Sequence, residues 1–404
     1  MVKSIKQVNK IFMFCFSLIL FYLIKSIPKS KNIWVFGAWY GQKYSDNSKY
    51  LYEYINKLPE TKVKTVWITK NKSLIPLIKN HGGLVYHTYS IKGLWYSARA
   101  AVTITTSSLK DVNFVASYDS VKIQLWHGTP LKKIGKDDTL YTSKSERQKF
   151  NMIKEKLFPF TKNNWDYIIS PSDYVSKIFS RAFDIPLEKV LLTGYPRTDF
   201  KFSTSSELDN YISNFQGKKI ILYAPTFRAD SNIFLKVISK DNLIKMNRFL
   251  IKNNSVILIN MHYINSEVFN NHKFKEFSNI IFVNSSILND INELLPYTDI
   301  LITDYSSIYF DYLLLDKPII FFPFDFNQYL TKDRELYEDY NEVTPGVKCE
   351  NWIDLIDQIE KTLINDEFTI ERKKIRSKYF EYYDKKNSKR VYHSIQKILE
   401  NYTR

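Results

Sequence analysis

The chain has 404 residues, 44% of them hydrophobic, and its 58 Lys and Arg against 42 Asp and Glu give a formal net charge of +16. This length is typical of two domains, and the composition excludes a disordered chain and a protein with many membrane spans. The two cysteines and six histidines form no disulfide or zinc pattern, and no nucleic-acid-binding motif accompanies the positive charge. We therefore expect anionic partners, either a membrane surface or phosphorylated substrates, with no nucleic acid and no bound metal.

Residues 1–30 combine an apolar run with flanking lysines. The run covers residues 11–24, and lysines lie on both sides of it. As a helix it would rise about 21 Å, which is less than the ~30 Å hydrocarbon core of a bilayer. No signal-peptidase site follows it. We predict a hydrophobic, basic helix that associates with the anionic cytoplasmic face of the membrane. The alternative is a buried first helix of the fold.

From residue 31 onward, short β-rich runs alternate with helix-like stretches and end in polar, Gly or Pro residues. Alternation of this kind is typical of parallel, doubly wound α/β sheets, whose ligands bind at the carboxyl ends of the strands. The pattern stops near residue 200 and then restarts. We predict two Rossmann-like domains, 31–200 and 218–370, which are joined by a linker at 201–217 and face each other across a cleft. A charged helical segment, 371–404, follows.

The β-rich run at residues 121–126 leads into the sequence HGTPLKK. The candidate site residues of this stretch are His127, Gly128, Thr129, Lys132 and Lys133. Histidine titrates near neutral pH and can accept a proton from an attacking hydroxyl, while glycine permits close backbone approach and lysines attract phosphate. The stretch therefore predicts a general base beside a phosphate. The alternative is a loop histidine held by backbone hydrogen bonds.

Three strand ends of the second domain also carry polar residues. Arg228 follows the first strand, and its planar guanidinium can hold two phosphate oxygens; the alternative is a surface salt bridge. His262 follows the second strand. The run 300–302 enters a turn and then a helix that together carry Thr303, Asp304, Ser306, Ser307 and Asp311. Hydroxyls at a helix N-terminus can bind phosphate, although a serine cap without a ligand is equally consistent with the pattern.

We also expect Asp304 or Asp311 to accept hydrogen bonds from ribose hydroxyls, the alternative being a carboxylate that caps its own helix. Neither a G-x-G-x-x-G dinucleotide motif nor a G-x-x-x-x-G-K-[ST] motif is present in the sequence, which argues against NAD binding and ATP hydrolysis. Two histidines, an arginine, lysines and serines instead favour transfer of a phosphoryl-type group by positioning and charge neutralisation.

The motifs WHGTPLKKIGKD, GYPRTD, YAPTFR and TDYSSIYFDYLLLDKP, with the earlier FGAWYGQKYSDNSKYLYEYI, resemble the CDP-glycerol glycerophosphotransferase family of teichoic acid synthesis in order and spacing. The resemblance implies a GT-B fold and attachment to the inner face of the cytoplasmic membrane. It also implies transfer of glycerol phosphate from CDP-glycerol to a polyprenyl-diphosphate-linked acceptor, with release of CMP and without a cofactor.

Matched to the family's motifs, His127 is the essential histidine, and Arg228, Ser306 and Ser307 contact the donor phosphates. His262 matches the second histidine, but the proline that usually follows is replaced here by Tyr263. The chain also lacks the long N-terminal extension of the large polymerases, so we expect a priming or short-extension enzyme. Three alternatives stay open: a CDP-ribitol or other polyol donor, a GT-B glycosyltransferase that uses a nucleotide sugar, and a non-catalytic lipid-binding scaffold.

Overall fold

The structure is a computed structural model that describes residues 18–138, 155, 158, 164–199, 206–226, 239–260, 277–283, 288, 290–326, 329 and 335–401. The predicted site residues Arg228 and His262 lie outside the described residues, as do residues 1–17 of the predicted N-terminal segment.

The first domain is built on a seven-stranded sheet in which every neighbouring pair is parallel. Its strands are β1 (Ser30–Phe36), β2 (Lys64–Thr69), β3 (Val85–His87), β4 (Ala100–Thr105), β5 (Val121–Gln124), β6 (Tyr167–Ser170) and β7 (Val190–Leu192). Their order in the sheet is 3-2-1-4-5-6-7, so the direction of winding reverses between β1 and β4. Ligands of such sheets bind beyond the carboxyl ends of the strands at this reversal.

The second domain contains a six-stranded parallel sheet. Its strands are β8 (Lys219–Tyr223), β9 (Ser255–Asn260), β10 (Ile280–Val283), β11 (Ile300–Thr303), β12 (Ile319–Phe321) and β13 (Val347–Lys348). The order is β10-β9-β8-β11-β12-β13, so the winding reverses between β8 and β11. The predicted α/β class with two parallel, doubly wound sheets is confirmed.

Helices connect the strands and cover the sheets. They are α1 (Asp46–Asn56), α2 (Leu74–Asn80), α3 (Ile91–Arg99), α4 (Asp173–Phe183), α5 (Ser206–Ser213), α6 (Lys240–Lys252), α7 (Ile308–Leu313), α8 (Tyr340–Val343), α9 (Trp352–Ile364), α10 (Thr369–Tyr379) and α11 (Asn387–Glu400). All six residues of β4 and all four of β11 are buried, as expected for parallel strands covered on both faces.

The two domains share one hydrophobic core. A single cluster of buried side chains includes Trp34 and Ile123 of the first sheet together with Leu222 and Leu301 of the second. Burial of apolar surface is the main favourable term in protein association, so this shared cluster holds the domains against each other.

Helix α11 follows the second domain in sequence but packs on the first. The backbone N–H groups of Asn387 and Ser388 donate to the carboxylate of Asp199 at 2.8 and 2.9 Å. The ring of Tyr392 lies 5.7 Å from that of Trp34 in β1. The C-terminal segment therefore ties the end of the chain to the first sheet, a partner that the sequence pattern did not indicate.

Residues 18–25 are helical and pack on the first domain along one side only. Ile24 is buried in a small cluster with Ala98 and Ala116. Ile19, Tyr22 and Leu23 are instead 62%, 68% and 66% exposed. Among the described residues, no helix is long and apolar enough to cross a membrane.

Candidate active site

His127 follows strand β5, and its ring contacts two indoles. The ring centroids of Trp126 and Trp39 lie 4.1 and 5.2 Å from that of His127. Nδ1 of His127 lies 3.2 Å from the carbonyl oxygen of Thr106. A carbonyl oxygen only accepts hydrogen bonds, so Nδ1 carries the hydrogen and a neutral ring has its lone pair on Nε2. The ring is therefore held in the tautomer that a general base requires.

The turn before His127 has an unusual backbone conformation. Trp126 has a φ of 55°, and the left-handed region costs a residue other than glycine about 1–2 kcal/mol. The side-chain amide of Asn47 in α1 donates to the carbonyl oxygens of Leu125 and Trp126 at 3.1 and 3.0 Å. Because Asn47 is fully buried, helix α1 fixes the turn that presents the histidine.

Asp111 joins the two loops at the winding reversal of the first sheet. Its carboxylate accepts from the backbone N–H groups of Tyr40, Thr106 and Ser107 at 2.7, 2.9 and 2.7 Å. Burial raises the pKa of Asp111, and the N–H donors act against that rise. Sequence reasoning missed this residue, whose only signal is an aspartate in the polar stretch after β4. Asp111 therefore fixes the backbone at Thr106, whose carbonyl oxygen is hydrogen-bonded to His127.

On the second domain, Thr303 and Asp304 join the ends of β8 and β11. The hydroxyl of Thr303 donates to the carbonyl oxygen of Ala224 at 2.7 Å. Oδ1 of Asp304 accepts from the N–H and hydroxyl of Thr226 at 2.8 and 2.5 Å, and from the N–H of Tyr305 at 2.6 Å. Thr303 and Asp304 are 0% and 1% exposed. Both side chains are buried and shape the turn, and their predicted contact with the donor stays a prediction.

Ser306 and Ser307 complete this turn, are half-buried, and lead into the short helix α7. A Cβ atom added to Gly128 would lie 2.7 Å from Oγ of Ser307. The loop after His127 therefore touches the serine turn of the other domain. Residues predicted from strand ends about 180 positions apart in the sequence therefore meet where the two domains touch.

Asp311 requires a correction. Arg197 of the first domain donates through Nε and Nη2 to its two carboxylate oxygens at 2.8 and 3.2 Å, and through Nη1 to Asp46 at 2.8 Å. All three side chains are at most 7% exposed. Asp311 is therefore committed to a buried ion pair between the domains and is not placed to contact ribose.

The charge of Arg197 is stabilised by this pair of carboxylates. Burial acts to lower the pKa of Arg197, but Asp311 and Asp46 together raise it above the ordinary value for arginine. Sequence reasoning also missed Arg197, although it lies in the motif GYPRTD. No signal in the sequence relates this motif to Asp311, which lies 114 residues further along the chain.

Thr129, Lys132 and Lys133, which were predicted to lie on the phosphate side of the site, contact protein groups in the structure. Thr129 is 1% exposed. Lys133 forms an ion pair with Glu335, and Lys132 Nζ contacts the hydroxyl of Tyr329. These lysines join the loop to the second domain, and their place beside a phosphate stays a prediction.

The remaining predictions concern residues 228 and 262, which are not described, and metal binding. Within the described ranges, no three His, Cys, Asp or Glu side chains are arranged to hold a metal ion.

A groove of about 360 Å³ runs along α1 and is lined by Tyr44, Glu53 and His81, among others. None of the described site residues predicted from the sequence lines this groove.

Comparison with known proteins adds independent evidence. A sequence profile described as CDP-Glycerol:Poly(glycerophosphate) glycerophosphotransferase matches residues 19–397. The chain is 32% identical over 356 residues to a teichoic acid poly(glycerol phosphate) polymerase of Bacillus spizizenii, covering 85% of this chain and 87% of that protein. It is 32% identical over 355 residues to a teichoic acid glycerol-phosphate transferase of Staphylococcus aureus, covering 84% and 86%.

Among solved structures, the chain is similar to a variant of the wall teichoic acid polymerase TagF soaked with CDPG. The TM-score is 0.74 at 27% identity, and the similarity covers 99% of this chain and 97% of that chain. The two facing domains of this protein therefore have the same overall arrangement as that polymerase.

Proposed function

The chain belongs to the CDP-glycerol:poly(glycerophosphate) glycerophosphotransferase family and is an enzyme of teichoic acid synthesis, and from this premise we propose its reaction in detail. It transfers glycerol phosphate from CDP-glycerol to a hydroxyl of a polyprenyl-diphosphate-linked acceptor and releases CMP. The donor is a substrate, and no cofactor takes part. The observation that carries this proposal is the contact of the loop after His127 with the turn at Ser307.

The reaction is an in-line displacement at the phosphorus that bears glycerol. Nε2 of His127 accepts the proton of the acceptor hydroxyl, and the oxygen forms a bond to phosphorus. The bond from that phosphorus to the bridging oxygen breaks, and its electron pair leaves with CMP. Ser306 and Ser307 hold the donor phosphates, and charge neutralisation there lowers the barrier. Arg228 and His262, which lie outside the described residues, are proposed to assist them.

The donor and the products are tested with purified protein and a defined lipid-linked acceptor. We expect CMP to form from CDP-glycerol only when the acceptor is present, and mass spectrometry to show the acceptor heavier by glycerol phosphate. CDP-ribitol serves as the matched donor. If CMP formed from CDP-ribitol and not from CDP-glycerol, the donor would be CDP-ribitol. If a nucleoside diphosphate were released from a nucleotide sugar, the reaction would be glycosyl transfer.

The contact between Gly128 and Ser307 gives a second prediction. Alanine at position 128 must push the hydroxyl of Ser307 aside, because its Cβ would lie only 2.7 Å from Oγ. A displacement near 1 Å can cost on the order of 10²-fold in rate, so we expect the kcat of Gly128→Ala to fall roughly 10-fold to 100-fold. Measuring kcat and Tm together separates this effect from unfolding.

Two controls sharpen that experiment. Gly217 has a φ of +80° and open space around it, so Gly217→Ala should lower the Tm and leave kcat unchanged. In a Ser307→Ala background the close oxygen is absent, and Gly128→Ala should then have a smaller effect. Equal effects in both backgrounds would show that the contact does not matter for turnover.

We propose that the N-terminal segment holds the enzyme on the anionic cytoplasmic face of the membrane. Supporting this, Ile19 and Leu23 are more than 60% exposed on the helix at 18–25. Replacing both by glutamine should weaken binding to anionic vesicles by roughly tenfold or more, because burying each side chain contributes about 1.5–3 kcal/mol when complete. Sedimentation with vesicles measures the bound fraction. The double variant Ile364→Gln, Ile370→Gln removes two isoleucines that are even more exposed, at 82% and 79%, and should bind normally.

A further inference from the structure

The loop after β1 has no role in the mechanism above, yet it is the most strained part of the described chain near His127. Trp39, Tyr40 and Gly41 have φ values of 48°, 57° and 78°, which places three consecutive residues in the left-handed region. For the two aromatic residues this conformation costs about 1–2 kcal/mol each. Such strain persists only where the surroundings enforce it, and it concentrates at functional sites.

The surroundings of this loop do enforce its conformation. The N–H of Tyr40 donates to Asp111 at 2.7 Å. The carbonyl oxygen of Gly41 accepts from the N–H of Lys70 at 2.8 Å and from the hydroxyl of Thr69 at 2.9 Å. Because Asp111 also holds the loop whose carbonyl binds His127, the position of the aromatic residues is coupled to that of the histidine ring.

The loop thereby holds two consecutive aromatic residues on a fixed backbone beside the proposed base, with Nζ of Lys43 5.4 Å from the ring centroid of Trp39. The ring of Trp39 lies 5.2 Å from that of His127 with an interplanar angle of 54°. Tyr40, the next residue, is 54% exposed. An exposed aromatic ring on a fixed backbone, next to a half-buried one, suits a ligand with an apolar face, such as the C–H face of a pyranose ring.

The position of the surface indicates which substrate it would bind. The serine turn of the second domain reaches the loop at Gly128 and is assigned to the donor phosphates. A general base must lie within about 3 Å of the hydroxyl it deprotonates, so the acceptor has to contact His127. Trp39, whose ring centroid lies 5.2 Å from that of the histidine, and its neighbour Tyr40 belong to the first domain.

We propose that Trp39 and Tyr40 form a binding subsite for a sugar unit of the acceptor, an inference that rests on the proposed function. The rings pack against the apolar face of the sugar and hold the attacking hydroxyl at Nε2 of His127. The subsite therefore determines the affinity for the acceptor and leaves the affinity for CDP-glycerol unchanged.

The test removes the ring of Tyr40 without disturbing the backbone. Asparagine tolerates left-handed φ, and glycine adopts it at no steric cost, so Tyr40→Asn and Tyr40→Gly keep the loop conformation. With a lipid-linked acceptor that ends in a sugar, we expect the KM for the acceptor to rise roughly tenfold or more, while the KM for CDP-glycerol stays within about twofold. Tyr40→Phe should retain the wild-type KM for the acceptor.

A second acceptor and a matched residue complete the design. A lipid-linked acceptor that carries glycerol phosphate and no sugar should show little change in KM with the same variants. Tyr383, a tyrosine that is 52% exposed between α10 and α11, provides the control Tyr383→Asn, which should behave as wild type with both acceptors.

The outcomes separate the subsite from the reaction. An active wild type whose Tyr40→Asn and Tyr40→Gly variants keep the wild-type KM for the sugar acceptor would overturn the subsite alone. A rise confined to the KM for CDP-glycerol would also overturn it, because the ring would then belong to the donor side. A wild-type protein that forms no CMP from CDP-glycerol with either acceptor would overturn the proposed function, and the subsite with it.

Discussion

Replacing His127 by alanine is expected to lower kcat roughly 10²-fold to 10⁴-fold, the range that a positioned general base contributes. The expectation depends on the hydrogen bond of Nδ1 to the carbonyl oxygen of Thr106, which places the lone pair of a neutral ring on Nε2. Steady-state CMP release with a lipid-linked acceptor measures the loss. The KM for CDP-glycerol should change little, because the proposed mechanism assigns the donor phosphates to the serine turn of the second domain.

His393 provides the matched control for this substitution. It is an exposed histidine on α11, so His393→Ala should retain full activity. The Tm of both variants has to be measured, since a loss of turnover counts only for a folded protein. A folded His127→Ala protein that releases CMP at a near-normal rate would remove the histidine from the mechanism.

Replacing Arg197 by alanine is expected to have the largest effect on stability. Removing one partner of a buried ion pair typically costs about 3–5 kcal/mol, because the remaining charge stays buried without compensation. Here two carboxylates, those of Asp46 and Asp311, would lose the same guanidinium. We expect a large fall in Tm and lower turnover in the protein that still folds, because Asp46, which loses its bond to the guanidinium, precedes Asn47, whose side chain holds the turn before His127.

The pH dependence of this variant gives an independent check. Burial raises the pKa of Asp311, and Arg197 acts against that rise. Without the arginine the folded-state pKa rises further above the unfolded value of about 3.9, so ionised Asp311 penalises folding at neutral pH. Protonation removes this penalty as the pH falls, and the difference in Tm between wild type and variant should narrow from about pH 7 to about pH 5.

A surface ion pair serves as the control. Arg181, which is 62% exposed in its side chain, pairs with Asp137, and exposed pairs contribute about 0–1 kcal/mol. Arg181→Ala should therefore change the Tm only slightly. Arg197→Lys keeps the charge but loses the paired geometry, so its Tm should be intermediate. A wild-type Tm for Arg197→Ala would show that the two carboxylates need no buried cation.

The strand ends were predictable from the sequence because the physics of parallel sheets restricts them. Short apolar runs that end in polar residues predict strands, and the carboxyl ends of parallel strands at a winding reversal meet at one edge. This reasoning singled out the loop after His127 and the turn at Ser307, which contact each other in the structure; the roles of the two loops stay predictions. It identified residues that directly follow the strands. It did not identify the residues whose hydrogen bonds fix the conformation of the loops after the strands.

The partners of buried charges were not predictable in this way. Asp311, one turn into a helix that follows two serines, has the same sequence pattern whether it contacts a ligand or an arginine from the other domain. Its partner Arg197 is set by how the domains pack, and local patterns carry no information on that contact. The same holds for Asp111, which acts through the backbone of two loops, and for α11, which returns to the first sheet.

The most direct test is a crystal structure of the His127→Asn protein with CDP-glycerol bound. We predict diphosphate oxygens within hydrogen-bonding distance, about 2.7–3.2 Å, of the groups at Ser306 and Ser307. The phosphorus that bears glycerol should lie near Gly128, on the side that faces the side chain at position 127. A donor bound in the groove along α1, or with its diphosphate remote from both the serine turn and position 127, would contradict the proposed site.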